Sequence, residues 1–89
     1  MSLPKFLEEK IEYFERIVPK VFSPELLEEM KNDMAYGLKM IALLKFRDME
    51  KEIISYLISR NYNPILGEQK QNERRLLRKT QYEQNPETN

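Results

Sequence analysis

Hydrophobic residues recur at helical spacing from the N-terminus onward. They step by three or four positions, and this spacing places them on one face of an α-helix. We predict that this first helix runs from about Pro4 to Val18, because Pro19 removes a backbone donor and restricts the residue before it. Glutamates occupy the opposite side. The apolar face consists of Leu3, Leu7, Ile11, Phe14, Val18 and Val21, and Phe6, Tyr13 and Ile17 widen it.

A second helix start follows directly. Ser23 is a good N-cap residue, Pro24 suits the first helical position, and Glu25 falls in the positively polarised first turn. The helical pattern then persists to about Asn61, with a mean step of about 3.7 residues, which is typical of a straight helix. Its apolar stripe consists of Leu27, Met30, Met34, Leu38, Ile41 or Ala42, Phe46, Met49, Ile53 and Leu57.

The length of this second helical segment leaves two architectures open. Unbroken, it measures roughly 55 Å at 1.5 Å per residue, whereas a compact domain of this size has a radius of gyration of about 12 Å. Either the helix breaks between Asn32 and Gly37, or it stays whole and needs a partner chain. Gly37 costs only about 1 kcal/mol inside a helix and does not force a break. We predict an all-α fold, either a helical hairpin or a three-helix bundle with one long central helix.

The middle of the second helix is apolar around nearly its whole circumference, from Ala35 to Phe46. A helix of this kind must be covered on more than one side, and the short first helix covers only one. We therefore expect a homo-oligomer, with a homodimer as the simplest form. The residues expected to bury the oligomer or partner interface are Leu38, Ile41, Leu44, Phe46, Met49 and Ile53.

The C-terminal quarter of the chain differs in composition from the rest. It is rich in glutamine, asparagine and charged residues, and such segments lack the apolar surface needed to fold alone. We divide the chain into a helical domain, residues 1–67, and a disordered C-terminal tail, residues 68–89. A local basic cluster in the tail could contact nucleic acid or an acidic partner protein. Its residues are Lys70, Arg74, Arg75, Arg78 and Lys79.

Composition argues against catalysis. Lysine plus arginine and aspartate plus glutamate both number 15, and the 89 residues include no histidine and no cysteine. A thiolate nucleophile, an imidazole base and ordinary zinc or haem ligation are therefore ruled out. Ser55 and Ser59 lack an adjacent base or a glycine-rich oxyanion loop. We expect a non-enzymatic protein with no cofactor, no metal and no small-molecule substrate.

Membrane insertion and secretion are not expected either. The longest apolar-rich stretch, residues 35–46, is interrupted by Lys39 and Lys45 and is much shorter than the roughly 20 residues of a bilayer span. The N-terminus carries no apolar signal-peptide region. We expect a cytoplasmic location.

These observations favour a small adaptor or regulator that associates with itself through the long helix and binds another protein. The alternative is a nucleic-acid-binding regulator whose basic C-terminal arm, Arg74 to Lys79, contacts phosphates. A net charge of zero weighs against the alternative. A third possibility is a subunit of a larger assembly, in which different chains cover the apolar helix.

Overall fold

The computed structural model describes the backbone of residues 3–83 and the side chains of residues 3–78. Within this part of the chain every regular element is helical, which confirms the all-α prediction. A short 3-10 turn, Arg47–Met49, separates the second helix from the third. The four α-helices are α1 (Leu3–Ile17), α2 (Pro24–Lys45), α3 (Glu50–Ser59) and α4 (Pro64–Glu83).

Helix α1 has the predicted amphipathic face. Leu3, Leu7 and Ile11 are buried in the core, and Phe6 and Phe14 pack against its edge. The helix ends before Pro19, as expected. Three of the predicted apolar positions are exposed: Tyr13 and Ile17 inside α1, and Val21 in the connection that follows it.

Helix α2 begins where the sequence indicated. Ser23 is its N-cap, and the Ser23 hydroxyl oxygen accepts a hydrogen bond from the backbone N–H of Leu26 at 3.2 Å. Pro24 is the first helical residue, and Glu25 lies in the first turn. The helix passes through Gly37 without a break, so the break considered between Asn32 and Gly37 is wrong.

The long helix does break, but near Phe46. This residue leaves the helical region (φ −122°, ψ 61°), and the 3-10 turn follows. Lys45 ends α2 while Glu50 and Glu52 open α3, and both placements suit the helix dipoles. The turn allows α3 to fold back against α1 and α2, so that Ile53 and Leu57 join the core. Two α-helices, α2 and α3, are thereby obtained from one continuous apolar pattern.

Helix α3 ends in a Schellman motif. Asn61 adopts a left-handed conformation (φ 67°), which asparagine tolerates better than most residues. The backbone N–H of Tyr62 donates to the carbonyl of Leu57 at 2.8 Å, and that of Asn61 donates to Ile58 at 2.9 Å. Tyr62 and Leu57 are both fully buried, which supplies the apolar contact of this motif.

Residues 64–83 form helix α4, so the structure does not confirm the predicted disordered tail over residues 68–83. The helix start at Asn63 and Pro64 repeats the arrangement at Ser23 and Pro24. The side-chain oxygen of Asn63 accepts hydrogen bonds from the backbone N–H groups of Ile65 at 3.0 Å and Leu66 at 3.2 Å. Pro64 then occupies the first helical position.

Helix α4 packs along α2 and makes several polar contacts with it. Gly67 lies against the backbone of Asn32, whose buried side-chain oxygen accepts a hydrogen bond from the N–H of Asn63 at 3.0 Å. Further along, Arg74 is bound by Glu29 and Asp33 of α2. The polar contacts with α2, the close approach of Gly67 and the burial of Pro64 together account for order in a segment with few apolar residues.

The core lies where α1, α2 and α3 meet, and the molecule is thin. The Cα atoms span 52 × 36 × 17 Å with a radius of gyration of 15.9 Å, above the value of about 12 Å for a compact domain. Helices pack about 8–10 Å apart, so 17 Å accommodates roughly two layers. In such an arrangement a central helix keeps one side toward solvent, and for α2 that side is apolar. The buried core residues are Leu3, Leu7, Ile11, Ala35, Leu38, Ala42, Ile53, Leu57 and Tyr62.

Candidate functional site

One side of α2 is left largely uncovered by the rest of the described chain, although Arg74 of α4 binds Asp33 there. Its residues follow one another in steps of four and three, which traces a continuous stripe along a helix. One further residue, Ile41, lies beside the stripe. We call this surface the open face of α2. It is formed by Leu26, Met30, Asp33, Gly37, Met40, Ile41 and Leu44.

The open face is exposed although most of its residues are apolar. Leu44 is 78% exposed and Ile41 54%, and Met40 and Leu26 are also largely accessible. The four residues that α2 buries inside the chain lie on the other side of the helix, toward the core and α4. They are Asn32, Ala35, Leu38 and Ala42. The residues that the structure describes therefore cover only part of the circumference of α2.

Gly37 lies near the middle of the open face. A methyl group built on Gly37 meets no other part of the described chain within 4 Å. A glycine in a helix interior costs about 1 kcal/mol relative to alanine, and packing within this chain does not require one there. Gly67 is the opposite case, because a methyl group at that position would overlap the carbonyl oxygen of Asn32. Only Gly67 is therefore explained by contacts inside the subunit.

Charge is distributed unevenly along α2. The first half, residues 24–34, carries four carboxylates and one lysine, whereas the second half, residues 35–45, carries two lysines and no carboxylate. The helix dipole favours this arrangement, since carboxylates lie toward the N-terminus and lysines toward the C-terminus. Several of these charges are already paired inside the subunit, Glu29 and Asp33 with Arg74 and Lys39 with Glu68.

The six residues predicted to form the interface divide into two groups. Leu38 and Ile53 belong to the core of the subunit, with 6% and 0% exposure, so a folded chain cannot offer them to a partner. Phe46 and Met49 are half-buried and pack against that core. Ile41 and Leu44 lie on the open face.

The basic cluster of α4 is partly engaged by the chain itself. The guanidinium of Arg74 donates to Glu29 Oε1 at 2.7 Å and to both carboxylate oxygens of Asp33 at 2.9 and 3.0 Å. Lys70 lies 3.8 Å from Glu73. Arg75 and Arg78 are exposed, and the side chain of Lys79 lies outside the described residues. The structure therefore does not present the five side chains as one basic surface.

Tyr62 lies in the connection between α3 and α4, and its hydroxyl contacts α1. It donates a hydrogen bond to Glu15 Oε2 of α1 at 2.9 Å, and its ring meets Phe14 edge-on at 6.2 Å. Burial raises the pKa of the Tyr62 hydroxyl well above its usual value, and the hydrogen bond to Glu15 and its charge raise it further. The phenol therefore stays protonated and serves as a structural donor.

Metal binding and membrane insertion can both be assessed from the described residues. Over the side chains of residues 3–78, no three or more carboxylates are grouped so as to hold a metal ion. Over residues 3–83, no helix combines the length and apolar character that crossing a membrane requires.

Comparison with known proteins does not identify a relative of this chain. No protein-family model, no curated protein and no solved structure matches the chain.

The spacing of residues along α2 indicated the open face, although hydrophobicity alone did not distinguish it from the other apolar sides of the helix. Leu26, Met30, Met40 and Leu44 fall in steps that fit a heptad pattern, with Asp33 and Gly37 between them. The apolar stripe through Leu38 overlaps this pattern and contains larger side chains. Because α2 is apolar on several sides, only the packing of the other helices shows which stripe stays exposed.

Proposed function

We propose that this chain is a non-enzymatic protein–protein interaction module, a small adaptor or regulator, that associates with itself through the open face of α2. The observation that carries this proposal is the exposure of Leu44 and Ile41 beside two further apolar residues on one continuous helix face. A cytoplasmic location belongs to the same proposal and rests on the sequence expectation.

Burial of this face supplies the driving force. Each leucine, isoleucine or methionine that is fully buried contributes roughly 1.5 to 3 kcal/mol, and pairing two copies buries such residues from both chains. Against this stands the loss of translational and rotational freedom, about 4 kcal/mol or more. A single helix face of this kind suits a reversible dimer with a dissociation constant in the micromolar range, about −8 kcal/mol.

Other exposed apolar residues form less continuous surfaces. On α4, Leu66 and Leu77 lie on one side of the helix, but Lys70 and Glu73 occupy the same side between them. Val21 is isolated in the connection between α1 and α2. Singly exposed apolar side chains are common on soluble domains, whereas a continuous apolar stripe marks a contact surface.

The alternative proposal, nucleic-acid binding through α4, receives less support from the geometry. Arg74 is committed to two carboxylates of α2, so using it on a phosphate would require breaking those contacts. Arg75 and Arg78 are exposed and could contact phosphates. Two arginines on one helix are a small electrostatic footprint for a chain with no net charge.

Light scattering over a dilution series tests the proposed self-association. We expect a molar mass near twice the 10.8 kDa of one chain at about 100 μM and a decline toward one chain well below the micromolar range. The mass should depend little on salt, because apolar contacts are not screened. A mass of one chain at every concentration would show that the open face does not drive self-association.

A further inference from the structure

We propose that the occupant of the open face is a second copy of this chain whose α2 lies antiparallel to the first. This inference rests on the proposed self-association and specifies its geometry. It is drawn from the order of residues along the face, from the position of Asp33 and from the environment of Gly37.

The residue order on the open face is self-complementary when the helices run in opposite directions. The two antiparallel helices can be aligned so that each stripe residue of one copy meets a stripe residue of the other. In this register Leu26 faces Leu44 of the second copy, and Met30 faces Met40. Both pairs are apolar, and each occurs twice because of the two-fold symmetry. The central pair is Asp33 with Gly37 of the second copy.

Gly37 suits this central position. Asp33 is held by Arg74, whose two contacts of 2.9 and 3.0 Å fix the carboxylate at the border of the face. A large residue opposite would cover this ion pair and remove it from water, which costs free energy. Glycine leaves room for the pair, and the structure shows open space around Gly37.

Charge selects between the two directions. In an antiparallel pair each Asp33, already bound by Arg74, faces Gly37 of the other copy. A parallel pair in the same register places Asp33 against Asp33, so that two carboxylates meet. The dipoles of the two helices are also opposed only in the antiparallel arrangement.

Single cysteines test this geometry directly, because the natural chain has no cysteine. In the antiparallel pair, two copies of residue 44 are roughly 27 Å apart at 1.5 Å per residue, far beyond disulfide range. Residue 26 of one chain and residue 44 of the other are adjacent. The variants are Leu26→Cys and Leu44→Cys, mixed and oxidised gently, with Val21→Cys as the collision control.

We expect a disulfide-linked dimer from the mixture of Leu26→Cys and Leu44→Cys and none from either variant alone. Linkage of each variant with itself would show a parallel pair and overturn the proposal. A dimeric mass without any linkage would also overturn it while leaving self-association intact, whereas a monomeric natural chain would contradict both. If light scattering shows that a leucine variant no longer dimerises, Met30→Cys with Met40→Cys gives the same comparison.

Discussion

Replacing Gly67 with alanine is expected to detach α4 from α2 and to lower the free energy of unfolding by about 3 kcal/mol or more. The added methyl would overlap the carbonyl oxygen of Asn32 and lie 2.7 Å from its carbonyl carbon. Backbone atoms inside a helix do not move aside as a side-chain tip does, so the two helices must separate. Separation also exposes Asn32 and breaks the Arg74 contacts.

Gly37→Ala is the matched control, since both glycines lie inside helices and only Gly67 is in close contact. At dilutions where the chain is monomeric, we expect this variant to be more stable than the natural chain by about 1 kcal/mol, from helix propensity alone. Urea unfolding followed by circular dichroism measures both variants. A Gly67→Ala variant with natural stability and helix content would show that α4 does not dock at Asn32.

Replacing Leu44 with glutamate is expected to abolish the dimer without unfolding the subunit. The side chain is 78% exposed in one chain, so a glutamate there stays hydrated and should change monomer stability by about 0.5 kcal/mol at most. In the dimer the same carboxylate would lie against apolar side chains of the second copy. The cost of burying an unpaired charge should weaken association at least 100-fold, about 3 kcal/mol.

Val21→Glu is the control for Leu44→Glu. Val21 is 87% exposed in the connection between α1 and α2, away from the open face, and the substitution introduces the same charge. We expect Val21→Glu to retain the natural dimer mass and both variants to retain natural helix content. Equal molar masses for the two variants at about 100 μM would show that Leu44 has no special role in the dimer.

Periodicity and capping rules predicted much of the fold. The face of α1 around Leu7 and the start of α2 at Ser23 follow from local rules that tertiary packing did not override. The break at Phe46 was missed because the apolar period continues through it. The change from Lys45 to the acidic residues Glu50 and Glu52 was the available signal, since it suits the end of one helix and the start of the next.

Helix α4 shows the limit of hydrophobicity as a guide to order. The sequence analysis predicts a disordered tail from residue 68 onward, although Asn63 followed by Pro64 matches the N-cap and first-position pattern recognised at Ser23 and Pro24. The side of α4 that docks on α2 carries glycine and polar residues, so no periodic apolar pattern predicted this docked helix. Its partners, such as Asn32, are distant in sequence and become neighbours only in the folded chain.

The candidate site was predicted in part. Ile41 and Leu44 were placed on an interaction surface from sequence, and the structure exposes both. Leu38 and Ile53 were assigned to the same surface because they share the apolar period, but α3 folds back and buries them. A helix that is apolar around its circumference does not indicate which side its own chain covers, and only the tertiary fold decides this.

Methyl NMR with a soluble paramagnetic probe tests the central claim most directly, because it reports the solvent access of single side chains. The account predicts that the methyl groups of Ile41 and Leu44 become protected as the protein concentration rises through the micromolar range. Val21 should remain accessible and Leu38 protected at every concentration. Ile41 and Leu44 methyl groups that stay as accessible as Val21 in concentrated solution would contradict the account.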